Sequence, residues 1–145
     1  GGTAGTVEDI SIFTTTLITP DNRTVIIPNG NITTDVIVNY TANKRRRIDM
    51  IIGVAYDADL QKTQKLLMKI LTDREDVLTD PEPVVEVHEL ADSSVNFVVR
   101  PWVKTDEYWQ IRWQLMKTIK IELDKAGIGI PFPQRDIHII EKQAS

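Results

Sequence analysis

The chain has 145 residues, enough for one domain of ordinary size or for two small ones. Its 41% hydrophobic and 26% charged residues are typical of a globular protein and exclude a low-complexity polymer. Seventeen basic and 21 acidic side chains leave a net charge of -4, which disfavours a polyanion binder, and the absence of cysteine excludes disulfides, thiolate metal sites and cysteine nucleophiles.

The first segment, residues 1–43, is rich in Thr, Ile and Val and is predicted to be all β. The run from Thr6 to Thr19 is rich in β-branched residues, which predicts a strand. Pro20-Asp21-Asn22 then supplies turn-forming residues, so we expect a hairpin into a strand at Thr24 to Ile27.

The tripeptide Pro28-Asn29-Gly30 is predicted to interrupt that second strand. Proline lacks the N–H that a strand ladder needs, and Asn-Gly readily adopts positive φ. We expect the extended pattern to resume at Val36 to Val38.

The basic run Lys44-Arg45-Arg46-Arg47 marks a sharp change in composition, and we place the boundary between two units there. Apolar residues then alternate from Ile48 to Val54, which predicts a strand. A helix should follow, with Asp57 as its N-cap. Its apolar stripe is Leu60, Thr63, Leu67, Ile70 and Leu71.

The next part of the chain reads as an antiparallel hairpin followed by a helix. Strands are predicted at Val84 to Leu90 and Ser94 to Val103, after a rigid connector at 80–83. A long helix should open near Thr105 to Glu107 and end at Gly127, the preferred residue after a helix. Its apolar stripe is Tyr108, Ile111, Leu115, Ile119 and Leu123.

The segment from Gly127 to Pro133 carries two prolines and is predicted to be irregular, whereas Asp136 to Glu141 has the composition of one last strand. The resulting order, β-α-β-β-α-β, is the ferredoxin-like α+β arrangement. We therefore divide the chain into a β domain (1–43), an αβ domain (44–133) and a C-terminal strand with its tail (134–145). The fold alone says little about activity.

No catalytic, metal or cofactor site is predicted. His88 and His138 are far apart and match no ligand spacing. A triad of His88 with Asp92 and Ser93 or Ser94 lacks a nucleophile elbow. Gly127-Ile128-Gly129 follows a helix instead of preceding one, so it is not a phosphate loop.

The basic run leaves alternatives open. Lys44 to Arg47 could attract RNA phosphates, but eight acidic residues between positions 73 and 92 oppose this, and Phe97 is the only aromatic residue of the predicted central strands. The run could equally be a solvated linker. An RNA-binding module and a small-molecule-sensing domain of the same topology remain alternatives.

Several segments, taken in order, resemble the small-conductance mechanosensitive channel family, and the resemblance covers essentially the whole chain. Gly1 to Val7 and Val25 to Gly30 resemble the family's β domain, and Ile51 to Asp59 resembles the start of its αβ domain. Ser93 to Arg100 resembles its central hairpin, and Ala126 to Gln134 resembles its closing motif.

The resemblance implies a homoheptamer whose soluble parts form a cage below the pore, on the cytoplasmic face of the bacterial inner membrane. By the same resemblance, the channel would pass ions and small solutes when membrane tension rises in hypoosmotic shock, and it would catalyse no reaction. The β domain would be Sm-like, with Pro28, Asn29 and Gly30 where cage and pore communicate. Lys44, Arg45, Arg46 and Arg47 would lie near side openings between neighbours.

The last strand, with Ile137, Ile139 and Ile140, would join its copies in a closed barrel. The chain departs from the family pattern in lacking the membrane helices and, as we interpret it, the first strand of the β domain. It begins with Gly1 and shows no signal peptide, so we expect it to be part of a longer product. Contact with a membrane would come only through the missing helices, and no nucleic-acid partner is expected.

Overall fold

The computed structural model of the chain describes residues 2–137, and the polypeptide divides into two units, residues 1–40 and residues 41–145. Among the described residues, the first unit holds three strands and a short helix, and the second holds five strands and two longer helices. This mixture of sheets and helices confirms the predicted α+β class.

The first unit is an antiparallel sheet of β1 (Thr6–Ile10), β2 (Thr14–Ile18) and β3 (Thr24–Pro28), in the order β1-β2-β3. The hairpin from β2 into β3 confirms the sequence prediction. The single strand predicted from position 6 to position 19 was wrong, because the backbone N–H of Ser11 donates to the Thr14 carbonyl and closes a turn between β1 and β2.

A six-residue helix, α1 (Asn29–Thr34), follows β3 directly. Pro28 stands at its N-cap position with φ -57°, a value that its ring fixes and that the start of a helix accepts. The predicted extended segment at Val36 to Val38 was wrong: these residues are irregular and 62% to 91% exposed. Their β-branched side chains favour a strand, but a strand needs a hydrogen-bonded neighbour.

The second unit contains β4 (Arg45–Arg47), β5 (Met50–Val54), β6 (Val84–Leu90), β7 (Val95–Arg100) and β8 (Trp102–Lys104). β5, β7 and β6 form an antiparallel sheet in that order, with β7 in the centre. β4 and β8 form a separate antiparallel pair. The predicted hairpin of β6 and β7 is confirmed.

One expectation for these strands fails. The run predicted as one strand from position 94 to position 103 is broken at Pro101, which has no N–H for a ladder and whose carbonyl accepts a bond from the Ile48 N–H. The basic run, where we placed the boundary between the two units, is largely the strand β4, an element that the sequence analysis did not predict. It forms because β8, more than fifty residues later, offers it an edge.

Two helices cover one face of the three-stranded sheet: α2 (Leu60–Thr72) and α3 (Tyr108–Lys125), the latter entered through a 3₁₀ turn. The N-cap of α2 is Asp59, not the predicted Asp57: its carboxylate accepts a bond from the Lys62 N–H at 3.0 Å. Asp57 stands two residues too early, in a turn closed by the Ala58 N–H and the Ala55 carbonyl.

The core of the second unit lies between the sheet and the helices. Phe97 of β7, Leu67 of α2 and Leu115 of α3 are completely buried in it. Each such side chain contributes about 1.5–3 kcal/mol by leaving water. α3 ends before Gly127, whose φ of +69° is the left-handed value expected of a residue after a helix.

Beyond Gly127 the described chain is irregular. Ile128 is buried, the Gly129 carbonyl accepts a bond from the Ala55 N–H, and the Gln134 N–H donates to Ser93 Oγ. The segment therefore crosses the end of the sheet. The last strand expected at 136–141 lies outside the described residues, apart from 136 and 137, which are irregular. Within residues 2–137, no helix has the length and apolar character to span a bilayer.

Candidate functional site

The first candidate site is the segment Pro28, Asn29 and Gly30, at the junction of β3 and α1. Asn29 is its structural centre. Its side-chain amide donates to the carbonyls of Ser11 at 2.9 Å and Ile12 at 3.1 Å. Its carbonyl oxygen accepts a bond from Thr15 Oγ1 at 2.8 Å, and its backbone N–H donates to the Phe13 carbonyl at 2.8 Å. Asn29 thus fastens the start of α1 to the turn between β1 and β2.

Gly30 contributes space instead of an unusual backbone angle. It lies inside α1 without a positive φ, so the expected Asn-Gly turn geometry is absent. A Cβ built on Gly30 would have nothing within 4 Å. Neither the conformation nor the packing of this unit requires a glycine there, which leaves the surface at Gly30 open to a partner.

The second candidate site is the basic run. β4 pairs with β8 in the register Arg45 with Lys104, Arg46 with Val103 and Arg47 with Trp102. Successive side chains of a strand point to opposite faces, so Arg45 and Arg47 share one exposed face and Arg46 lies on the other. The three arginines of the run therefore lie in different environments.

Arg46 packs inward, with its guanidinium carbon 3.8 Å from the centre of the Tyr108 ring of α3. Arg45 donates to the Asp80 carbonyl at 3.0 Å. Arg47 forms an ion pair with Asp49 at 2.9 Å, and Arg100 reaches the same carboxylate at 3.0 Å. The Asp49 carboxylate compensates part of the positive charge of Arg47 and Arg100. The charge of Arg45 is not compensated by its partner, because a carbonyl is neutral.

A hollow of about 340 Å³ lies beside the basic run and is lined by Asn43, Lys44, Arg45 and Trp102. Lys44 and Arg45 are both exposed here. Two cations on a concave surface attract anions, and the flat side chain of Trp102 forms part of its wall.

The third candidate set is the barrel strand. Ile137 is irregular and 82% exposed, and Ile139 and Ile140 lie outside the described residues. The first set lies in the smaller unit, and the basic run and Ile137 lie in the larger.

The two serines considered for a catalytic triad have structural roles. Ser94 donates to Asn96 at 2.8 Å, and Ser93 accepts the bond from the Gln134 N–H. His88 is exposed beside a β-bulge, and His138 lies outside the described residues. Among residues 2–137 no group of three or more His, Cys, Asp or Glu side chains could hold a metal ion.

Sequence reasoning missed two surfaces. Ile12 and Phe13 are strongly exposed in the turn that Asn29 holds, although the pattern placed them in a strand. On α3, Trp109 and Trp113 are 54% and 64% exposed, with their ring centres 6.0 Å apart. The four-residue spacing of the two tryptophans off the buried stripe was the available signal.

The comparisons with known proteins agree on one family. Residues 48–130 match the profile described as "Mechanosensitive ion channel MscS, C-terminal", and residues 1–42 match "Mechanosensitive ion channel, beta-domain". An MscS family protein of Synechocystis is 45% identical over 142 residues, which are 98% of this chain and 48% of that protein. The small-conductance mechanosensitive channel of Edwardsiella ictaluri is 43% identical over 97% of this chain and 49% of its own length.

Among solved structures, Helicobacter pylori MscS in its closed state superposes with a TM-score of 0.89 at 30% identity, over 95% of this chain and 55% of that one. The MSL1 structure of Arabidopsis thaliana, at 19% identity and a TM-score of 0.75, shares the fold. The chain thus spans about half the length of the relatives it matches. Both units match in order, and together they show that this chain belongs to the MscS family of mechanosensitive ion channels.

Proposed function

We propose that this chain is the cytoplasmic cage of a mechanosensitive channel, the vestibule below the pore that ions and small solutes cross when membrane tension rises in hypoosmotic shock. The observation that carries the proposal is the ordered match of both units to the β domain and the C-terminal part of such channels. This match favours conduction over the RNA-binding and small-molecule-sensing alternatives.

In this proposal seven copies close a ring on the cytoplasmic face of the bacterial inner membrane, because one heterologous interface repeats until it closes. Residues 1–43 form the Sm-like domain under the pore, residues 44–133 form the ferredoxin-like wall, and residues 134–145 supply one strand of a closed barrel. The barrel would pair a strand that otherwise has free edges.

The basic run supplies the electrostatic part of the mechanism. Arg45 and Arg47 lie on the exposed face of β4, and Lys44 and Arg45 line the neighbouring hollow. Fixed positive charge at an opening raises the local concentration of anions within about a Debye length, roughly 8 Å at physiological salt. Anions would therefore enter the cage more readily than cations of equal size.

The segment Pro28, Asn29 and Gly30 supplies the mechanical part. Gly30 leaves open space above α1, and Asn29 ties α1 to the turn between β1 and β2. A displacement of α1 caused by a contact at this surface would therefore move the sheet as well, because hydrogen bonds connect the two.

The test uses the full-length channel in membrane patches from cells that lack their own tension-gated channels. We expect step currents under suction, and survival of the same cells after a sudden drop in osmolarity. Absence of suction-evoked current from correctly inserted protein would refute the proposal.

The charge mechanism has its own test. Changing both Arg45 and Arg47 to Gln should shift the reversal potential of the open channel toward cation preference. The matched control changes the exposed Lys65 and Lys117 to Gln, which removes the same charge from α2 and α3. Equal reversal potentials in the two double variants would contradict a local role of β4.

A further inference from the structure

Two hollows adjoin each other at the start of β4, in the larger unit. The smaller has a volume of about 340 Å³ and the larger a volume of about 570 Å³, and they share the wall Asn43, Lys44 and Arg45. Trp102 completes the smaller hollow, and Lys104 lies on the larger. We call Lys44, Arg45 and Lys104, which are all exposed, the cation trio.

The pairing of β4 with β8 places two members of the trio directly opposite each other. Arg45 is the register partner of Lys104 in this antiparallel pair. Opposite residues lie on the same face of a sheet, and like charges in this position are destabilising. An anion between the two side chains would offset that repulsion.

The carboxylates of the described chain leave the trio largely uncompensated. Asp49, the acidic residue that follows β4, pairs with Arg47. None of the ion pairs within residues 2–137 includes a member of the trio. Asp106 is the one carboxylate that lines the larger hollow, against three cations, so an excess of two positive charges remains there.

Hydrogen bonds hold the backbone around the trio in place. The Thr105 N–H donates to the Lys44 carbonyl at 3.0 Å, and Thr105 Oγ1 donates to the Asn43 carbonyl at 2.5 Å. One terminal nitrogen of the Arg45 guanidinium donates to the Asp80 carbonyl at 3.0 Å. The other guanidinium nitrogens have no partner among the described residues. A ligand would therefore meet a preformed site with unused donors.

We propose that the cation trio binds the phosphate group of a small soluble phosphomonoester, with Trp102 beside the organic part of the ligand. This site goes beyond the proposed function, because binding depends on the β4–β8 pair and not on conduction.

The charge and the lining of the hollows indicate this class of ligand. A phosphomonoester carries close to two negative charges at neutral pH and has three acceptor oxygens, which match the excess of two positive charges. The guanidinium of Arg45 presents a fork of donors to such oxygens, and the lysines add point charges. The half-buried Trp102 and Leu78 offer apolar surface that a bare inorganic anion would leave uncovered.

The experiment is isothermal titration calorimetry of the purified full-length channel at about pH 7.5, where a phosphomonoester is mostly a dianion. The probe is phenyl phosphate. Phenyl sulfate, a monoanion with the same ring and a similar shape, is the matched ligand. The variants are Arg45→Gln and Lys104→Gln, and Lys65→Gln is the control, because it removes an exposed cation of α2 that lines neither hollow.

We expect one molecule of phenyl phosphate to bind per chain and phenyl sulfate to bind more weakly. Arg45→Gln and Lys104→Gln should each weaken the binding of phenyl phosphate about fivefold, and Lys65→Gln should leave it unchanged. Without ligand, Lys104→Gln should not lower the thermal unfolding midpoint, because it removes one of two like charges that lie opposite each other.

Equal affinities for phenyl phosphate in the unsubstituted channel and in both hollow variants would overturn the inference. Equal affinities for the two probes would overturn the assignment to phosphomonoesters, and a lower midpoint in Lys104→Gln would overturn the argument from like charges. Binding of an oligouridylate, or of phosphatidic acid in mixed micelles, without binding of phenyl phosphate would overturn the choice of a small soluble ester.

The proposed function is tested separately by suction. A channel that opens under suction but binds no phenyl phosphate overturns this inference and leaves the proposed function intact. A channel that binds phenyl phosphate but passes no suction-evoked current refutes the proposed function and supports the site.

Discussion

The two units are stabilised in different ways. All 19 buried apolar residues of the described chain lie in the second unit, and 18 of them form one core cluster. The best-buried side chains of the first unit are two threonines, Thr15 and Thr19, each 7% exposed and each hydrogen-bonded. The larger unit is therefore organised around a hydrophobic core, and the smaller one around strand pairing and polar bonds.

This difference bears on how stable each unit is by itself. A three-stranded sheet without a buried apolar face is marginal by itself. The larger unit has a hydrophobic core of its own. Under the proposed function, its exposed Lys44 and Arg45 would act on passing ions.

The largest expected effect comes from emptying the core of the larger unit. Phe97→Ala removes a completely buried ring and should lower the free energy of unfolding by about 3–5 kcal/mol. Leu17→Ala, at a half-buried site of the smaller unit, should cost about 1 kcal/mol. Urea unfolding followed by circular dichroism measures both, and equal losses would break the contrast between the units.

Two glycines of the smaller unit should differ in how well they tolerate an added side chain. A Cβ on Gly5 would stand 2.7 Å from the Ile18 carbonyl oxygen, so Gly5→Ala should destabilise by about 1–3 kcal/mol. Gly30→Ala meets open space inside α1 and should be neutral or stabilising by up to about 1 kcal/mol. Thermal unfolding separates the two variants, and a destabilising Gly30→Ala would show that the unit itself requires this glycine.

Acid should affect the larger unit through Asp76. The bidentate hydrogen bond from Arg74, at 2.8 and 2.5 Å, holds the pKa of Asp76 below its usual value despite partial burial. A lowered pKa contributes stability that is fully present above the pKa of the unfolded state, about 3.8, and is lost as pH falls from there through the lower pKa of the folded state.

The check compares the pH dependence of unfolding in Asp76→Asn with that in Asp21→Asn. The pKa of Asp21 is also lowered, first by the hydrogen bond from Thr19, but its side chain is 60% exposed against 35% for Asp76. Both substitutions should flatten the acid loss of stability, and Asp76→Asn should flatten it more. A larger effect at Asp21 would contradict this ranking.

The smallest effect tests the start of α2. Asp59→Ala removes the acceptor of the Lys62 N–H and should cost about 1 kcal/mol. Asp57→Ala is the matched control and should be nearly neutral, since Asp57 caps nothing in α2. Calorimetry of the two variants would show whether the cap assigned from sequence or the one in the structure is correct.

The elements that could be predicted from sequence are those whose signal is local. α3 shows its buried stripe from Ile111 to Leu123 at helical spacing, and Gly127 marks its end. The hairpin of β6 and β7 shows two apolar runs around a short polar turn. These patterns need no information about distant parts of the chain.

The elements that could not be predicted depend on partners far away in sequence. β4 becomes a strand only because β8 pairs with it, and a run of cations carries no periodic sign of that. Asn29 bonds carbonyls 17 and 18 residues earlier. Phe13 was read as part of a strand because sequence cannot show that a turn exposes it.

The roles of Lys44 to Arg47 and of Pro28 to Gly30 remain proposals that came from family resemblance. The structure adds physical content to them by separating the inward Arg46 from the exposed Arg45 and Arg47. It also gives Asn29 an internal function, which no motif could supply.

The central claim is that copies of this chain build the wall of a closed channel vestibule. Native mass spectrometry of the purified full-length channel tests it most directly, because it counts the copies in one particle. We predict a single sevenfold species that persists on dilution. A monomer or dimer as the only stable species would contradict the account, since neither can enclose a vestibule around a pore.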